Sequence, residues 1–182
     1  MYVSSFSFRN FRNLKDSEIY PSKEINIIYG ENAQGKTNLV EAIWLFTGGH
    51  SFRGAKDSEL STISGDIVEK YNFSNLKMSF YSEGRDQQAV LNIENGKRST
   101  IINGVKKNTG TALIGKVRAV IFSPEHLNLV KGGPSKRRSF IDGALCQIKP
   151  HYAKIISMYN RALIQRNTLL KNISSTAGKN DI

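Results

Sequence analysis

Residues Ile25–Ile43 read INIIYGENAQGKTNLVEAI, and their reading decides the fold. Gly30 to Thr37 has the spacing G-x-x-x-x-G-K-T of a phosphate-binding loop, or P-loop. Ile25, Ile27 and Ile28 form a short apolar run, the pattern of a buried strand feeding such a loop. Behind it, Leu39, Val40, Ile43 and Leu45–Phe46 recur at helical spacing around Glu41, and Gly48–Gly49 supplies a stop.

The chemistry needs these residue types. Gly30 and Gly35 allow a tight turn in which successive N–H groups converge on an anion. A helix beginning near Lys36 adds its positive N-terminal end to the same spot. The candidate nucleotide site is therefore Gly30, Glu31, Asn32, Ala33, Gln34, Gly35, Lys36 and Thr37. Lys36 can reach the β- and γ-phosphates of ATP, and the Thr37 hydroxyl can take one position on Mg²⁺.

Outside this stretch, charge is the next signal. Between Lys131 and Asn172 lie nine basic residues and one acid, Asp142, so this segment carries +8 of the chain's net +11. A solvated helix face explains scattered lysines but not a run of one sign, which fits a polyanion partner such as DNA. Lys136, Arg137 and Arg138 crowd the first turn of a helix that Pro134 opens. Cations there oppose the helix dipole, so they are the DNA-contact candidates.

The remaining organisation follows from periodicity. Val3, Phe6 and Phe8 alternate with serines, as in an edge or half-buried strand, and a second short strand is expected near Asp16–Tyr20. Between them, Arg9–Asn13 (RNFRN) is either a polar turn or a nucleotide or DNA contact. From about Ile67 to Phe122 the period is two, with hairpin signals at Asn95–Gly96 and Asn103–Gly104. This predicts an antiparallel meander whose last strand is Val117–Phe122. Phe140, Ile141, Ala144, Leu145 and Ile148 give the Pro134 helix an apolar stripe, and Cys146 reads as buried filler beside it. After Pro150 a second helix has a near-heptad seam, from Tyr152 to Ile173, before a polar tail SSTAGKNDI.

The bounds are simple. One cysteine excludes a disulfide framework and points to a reducing compartment. No apolar run approaches a membrane span, and the start lacks a signal-peptide core, so a cytoplasmic protein is expected. His50, His126 and His151 are too scattered for a structural metal site. The acid that a working P-loop hydrolase needs after an apolar strand is not found: Ala119–Phe122 runs into Ser123–Pro124, and Asp142 sits in a helical pattern. The chain therefore reads as the N-terminal part of a larger protein.

These residues together resemble the RecF family, within the ATP-binding-cassette group that includes the SMC proteins. The resemblance rests on Phe8–Asn13, GENAQGKTNLVEAI, Ser51-Phe52-Arg53, VIFSPEHLNLVKGGPSKRRSFID (120–142), and Tyr159–Leu163 with Gln165–Asn167. His126 stands where the family pattern has an acid, and Ile164 where it has a lysine. The resemblance implies an α/β P-loop ATPase head of the ABC type with an antiparallel meander. Residues 1–132 would form the ATPase lobe and 133–182 the start of a helical lid or coiled-coil arm.

It further implies a DNA replication and repair protein with weak DNA-stimulated ATPase activity, in which ATP is sandwiched in a homodimer. Single-strand gap repair, the SOS response, junctions of single- and double-stranded DNA, and RecA loading with RecO and RecR belong to the same implication. The family's signature motif and second acidic motif would lie beyond Ile182, so these residues alone should hold ATP without hydrolysing it. Two other readings stand beside this one. A small-molecule kinase also uses a P-loop but leaves the +8 segment unexplained. A non-hydrolysing DNA-binding scaffold would leave Lys36 and Thr37 without a purpose.

Overall fold

The computed structural model describes residues 1–61 and 73–177. Its organising element is a six-stranded, wholly antiparallel sheet in the order β2-β1-β3-β4-β5-β6. The strands are β1 (Tyr2–Arg9), β2 (Ser17–Ile19), β3 (Phe73–Ser82), β4 (Arg85–Glu94), β5 (Lys97–Ile102) and β6 (Val105–Lys107). Alternation of apolar and polar residues decides its faces. Phe6 and Phe8, then Leu76, Met78 and Phe80, then Ala89, Leu91 and Ile93 all turn to one side and are buried. Burying each Phe, Leu, Met or Ile among them stabilises by about 1.5–3 kcal/mol.

Both expected hairpins are present. Asn95–Gly96 and Asn103–Gly104 all have positive φ, as a two-residue turn matched to strand twist requires. Glu83–Gly84 closes β3 on β4 in the same conformation, a turn that carries no Asn-Gly signal. The meander is joined by β1, which pairs with β3 from Tyr2↔Tyr81 to Arg9↔Asn75 and with β2 on its other side. β1 is thus an inner strand rather than an edge. Residues 67–72, where the meander was expected to begin, lie outside the described residues.

One layer covers the buried face. Helix α1 (Lys36–Trp44) continues into a 3₁₀ turn, Leu45–Thr47, and ends at Gly48 with φ +80, the expected stop. Ala42, Leu45 and Phe46 join the sheet residues, Phe11, Leu60, Leu113 and Val117 in one core. Phe6 and Phe46 meet edge to face at 5.8 Å. Arg98 of β5 clips the loop after α1 to the sheet, donating to Gly49 O at 2.7 Å and to Asp57 Oδ1 at 2.6 Å.

Two expected strands are not formed. Ile25–Ile28 has no sheet partner among the described residues, and Ile25 and Ile27 are 78% and 81% exposed. The six ordered strands pair among themselves, and none is in register with residues 25–28. Val117 is buried in the core, but beyond it Val120 and Phe122 are fully or almost fully exposed. The Ala119 N–H donates to the Gln147 side chain at 2.8 Å, where a strand would have bonded another strand.

The helices begin and end much as their punctuation demands. A short α2 (Asn128–Lys131) precedes α3 (Pro134–Ile148), which has Pro134 in its first turn, and α4 (His151–Ala177) follows Pro150. α4 takes in Ser174–Ala177, which the sequence suggested as tail; residues 178–182 lie outside the described residues. The α3 stripe is not covered, since Phe140, Ile141 and Ile148 are all more than half exposed. Cys146 is only half-buried rather than core filler; burial first, then the nearby Asp142 carboxylate, pushes its thiol pKa up. No helix among the described residues is long and apolar enough to cross a membrane.

Candidate nucleotide site

The loop Gly30–Gly35 follows the irregular segment 21–29 and delivers the chain into α1 at Lys36. Its backbone has three positive-φ residues, Gly30 (+145), Ala33 (+67) and Gly35 (+92). Gly35 is the N-cap residue of α1 in the left-handed region, and nothing lies within 4 Å of where a Cβ at Gly30 would be. The loop is exposed, as an anion cradle must be, and Thr37 is exposed at the start of the helix.

Lys36 turns back over the loop. Its ammonium donates to the carbonyls of Gly30 at 2.7 Å and Glu31 at 2.6 Å. The carbonyls of the loop's entry thus face a cation, which is held over the loop that leads into the N-terminus of α1. This set suits ATP with Mg²⁺: backbone donors and Lys36 would hold the phosphates, and Thr37 would offer its hydroxyl to the cation.

A buried carboxylate lies behind the loop, and the sequence reading passed over it. Glu41, on α1, is fully buried. Arg12 donates to both of its oxygens, Nε to Oε2 at 2.7 Å and Nη2 to Oε1 at 2.9 Å, a bidentate pair. The Ser51 hydroxyl also bonds Glu41, and Arg53 stands 4.0 Å away. An acid among Leu39, Val40, Ala42 and Ile43 was the available signal, because a charge in an apolar stripe must be paired. Within RNFRN, the network gives Arg12 a structural part. Two Arg12 donors are engaged by Glu41, so this arginine braces the helix behind the loop.

The DNA-contact candidates part company in the structure. Arg137 folds back on α2, with Nε and Nη2 donating to the carbonyls of Leu129 (2.9 Å) and Val130 (3.1 Å). These are carbonyls of the last turn of α2, which an arginine satisfies well. Lys136 and Arg138 are exposed on the first turns of α3. Ahead of α2, the Ser123 hydrogen bond, its own backbone N–H and the Arg53 and His126 charges hold the Glu125 carboxyl below the usual carboxylate range.

With this geometry in view, comparison with known proteins is specific. The family model described as "AAA domain" matches residues 5–176. The curated "DNA replication and repair protein RecF" of Acetivibrio thermocellus is 47% identical over 95% of this chain and 46% of its own length. That of Ruminiclostridium cellulolyticum is 42% identical over 96% of this chain and 46% of its own length. The chain belongs to the AAA domain family and is a RecF homologue.

Solved structures of the recombination mediator protein RecF in the RecFOR pathway, described as RecF-ATPrS and RecF-ATP, superpose with TM-scores of 0.84 and 0.82. They are 35% and 36% identical, over 94% of this chain and 45% of theirs. The chain thus spans about half the length of the curated relatives it matches. The P-loop ATPase fold expected from GENAQGKT, with its antiparallel meander, is the one observed.

Proposed function

We propose that this chain is an ATP-binding lobe of a DNA replication and repair protein, coupling nucleotide binding to contact with DNA. The observation that carries the reading is the Lys36 ammonium held over a three-fold positive-φ loop at the N-terminus of α1. Gly30–Thr37 cradles the triphosphate, Lys36 neutralises its β- and γ-phosphates, and Thr37 holds Mg²⁺. Support comes from the relatives, whose names speak of DNA replication and repair and of recombination mediation. Residues 1–132 act as the nucleotide lobe and 133–182 as a helical lid or arm. Homodimerisation around ATP and work with RecO and RecR on junction DNA belong to the same proposal.

The basic helices supply the DNA face. Lys136 and Arg138 are its contacts, while Arg137 shapes the turn that presents them. Replacing Lys36 by Ala is expected to abolish ATP binding, a loss of at least about a hundredfold in a calorimetric titration, since it removes a charge-assisted contact and an anchor of the loop. Unchanged affinity would sink the site. DNA binding should fall steeply with salt, and the Lys136→Ala, Arg138→Ala pair should flatten that slope by about two. Equal slopes would remove these residues from the DNA face.

A further inference from the structure

A line of hydrogen bonds runs from the loop after α1 to the phosphate loop, and its direction is fixed at both ends. Arg53 Nη1 donates to Asn38 Oδ1 at 2.8 Å, Asn38 Nδ2 donates to Asn13 Oδ1 at 2.6 Å, and Asn13 Nδ2 donates to the Ala33 carbonyl at 2.8 Å. A guanidinium can only donate and a carbonyl can only accept. Each amide between them is therefore held in one orientation, oxygen toward Arg53 and nitrogen toward Ala33.

We propose that Asn13 is a positioning residue for the nucleotide: aimed by Asn38 and Arg53, its amide holds the Ala33 carbonyl so that the phosphate loop keeps its anion-binding shape. This rests on the ATP-site reading above and gives the β1–β2 turn a part in it. Three observations converge on it. Ala33 has φ +67, a conformation that a residue with a Cβ keeps only when its surroundings enforce it. The turn and the loop also touch directly, since a Cβ at Gly35 would come within 2.6 Å of Leu14 Cδ2 and 3.0 Å of Asn13 Oδ1.

Finally, the turn is a firm base. Phe11 is fully buried, Arg12 N–H donates to Leu60 O at 2.9 Å, and the Arg12 side chain grips Glu41. A cradle for phosphate needs its N–H groups inward and its carbonyls turned away or neutralised. Lys36 neutralises those of Gly30 and Glu31. Asn13 holds that of Ala33.

The test is a double-mutant cycle in the full chain, read as ATP affinity with Mg²⁺ and as melting midpoint without nucleotide. Losing one hydrogen bond that orders the loop should weaken ATP by about tenfold in Asn13→Ala, at the upper end of a single bond's net worth. Asn38→Ala, which frees the Asn13 amide and releases Arg53 from the line, should weaken it about threefold. The double variant should be no weaker than Asn13→Ala alone, because both act through one carbonyl.

Three results would overturn the proposal. One is Asn13→Ala binding within twofold of the parent while Lys36→Ala abolishes binding. Another is a double variant showing the product of the two losses. The third is a melting midpoint that drops while the folded protein's affinity stays unchanged, which marks a purely structural tie. Should Asn13→Ala not fold, Asn38→Ala decides, and parental affinity there overturns it. Normal binding by Lys36→Ala would instead overturn the phosphate-site reading underneath.

Discussion

The sheet and the two apolar runs at 25–28 and 119–122 are made of the same kinds of apolar residue, yet they meet opposite fates. Leu76, Met78, Leu91 and Ile93 are fully buried, while Ile25, Ile27, Val120 and Phe122 are each more than three-quarters exposed. The difference is one of partners. β1 and β3–β5 find neighbours on both sides within the chain, and α1 covers their inner face. Residues 25–28 and 119–122 find no strand among the described residues. Apolar runs state a need for cover, and only the fold supplies it.

This contrast is broken most severely at Glu41, the one acid buried among the described residues. Arg12→Ala would leave that carboxylate uncompensated, with only Ser51 in bonding contact and Arg53 at 4.0 Å. The expected destabilisation is about 3–5 kcal/mol by urea unfolding. A loss under about 1 kcal/mol would mean that water reaches Glu41 and that the brace behind the loop is slack. Next in size is Leu91→Ala, in the middle of β4 and fully buried. It should cost about 2–5 kcal/mol, depending on how far the core collapses onto the hole.

A smaller effect is expected at a turn. Gly96→Ala places a Cβ 3.3 Å from that of Ser58 at a φ of +72, and should cost about 1–2 kcal/mol. A neutral result there would show that the β4–β5 hairpin can shift its turn without disturbing the sheet.

How much of this was readable in the sequence depends on the range of each interaction. The loop, α1, the Gly48 stop, both Asn-Gly hairpins and the start of α3 at Pro134 are local, so spacing and turn chemistry sufficed. The place of β1 between β2 and β3 was not legible, because pairing across more than sixty residues leaves no local mark. Nor was the retirement of Arg137 onto α2, which depends on how a four-residue helix is seated. At the site, Lys36 stood out by motif, whereas Asn13 and Asn38 act through amide contacts twenty or more residues apart. Glu41 was the partial exception: its type was visible in the apolar stripe, its partner was not.

The sharpest use of the comparison is the substitution that should do almost nothing. Phe122→Ser removes a large aromatic ring, a change worth about 3–5 kcal/mol in a core. At 94% exposure the ring has little packing to lose, so the expected change in unfolding free energy of this chain is within about 0.5 kcal/mol. Ile27→Ser, at 81% exposure, should behave alike. The measurement is best made at two protein concentrations tenfold apart. If either substitution costs more than about 1 kcal/mol, and the cost grows with concentration, then these rings and methyls are covered by a second copy in solution. Two flat results would show that the packed lobe stands without them, and that these exposed apolar runs contribute nothing to its stability.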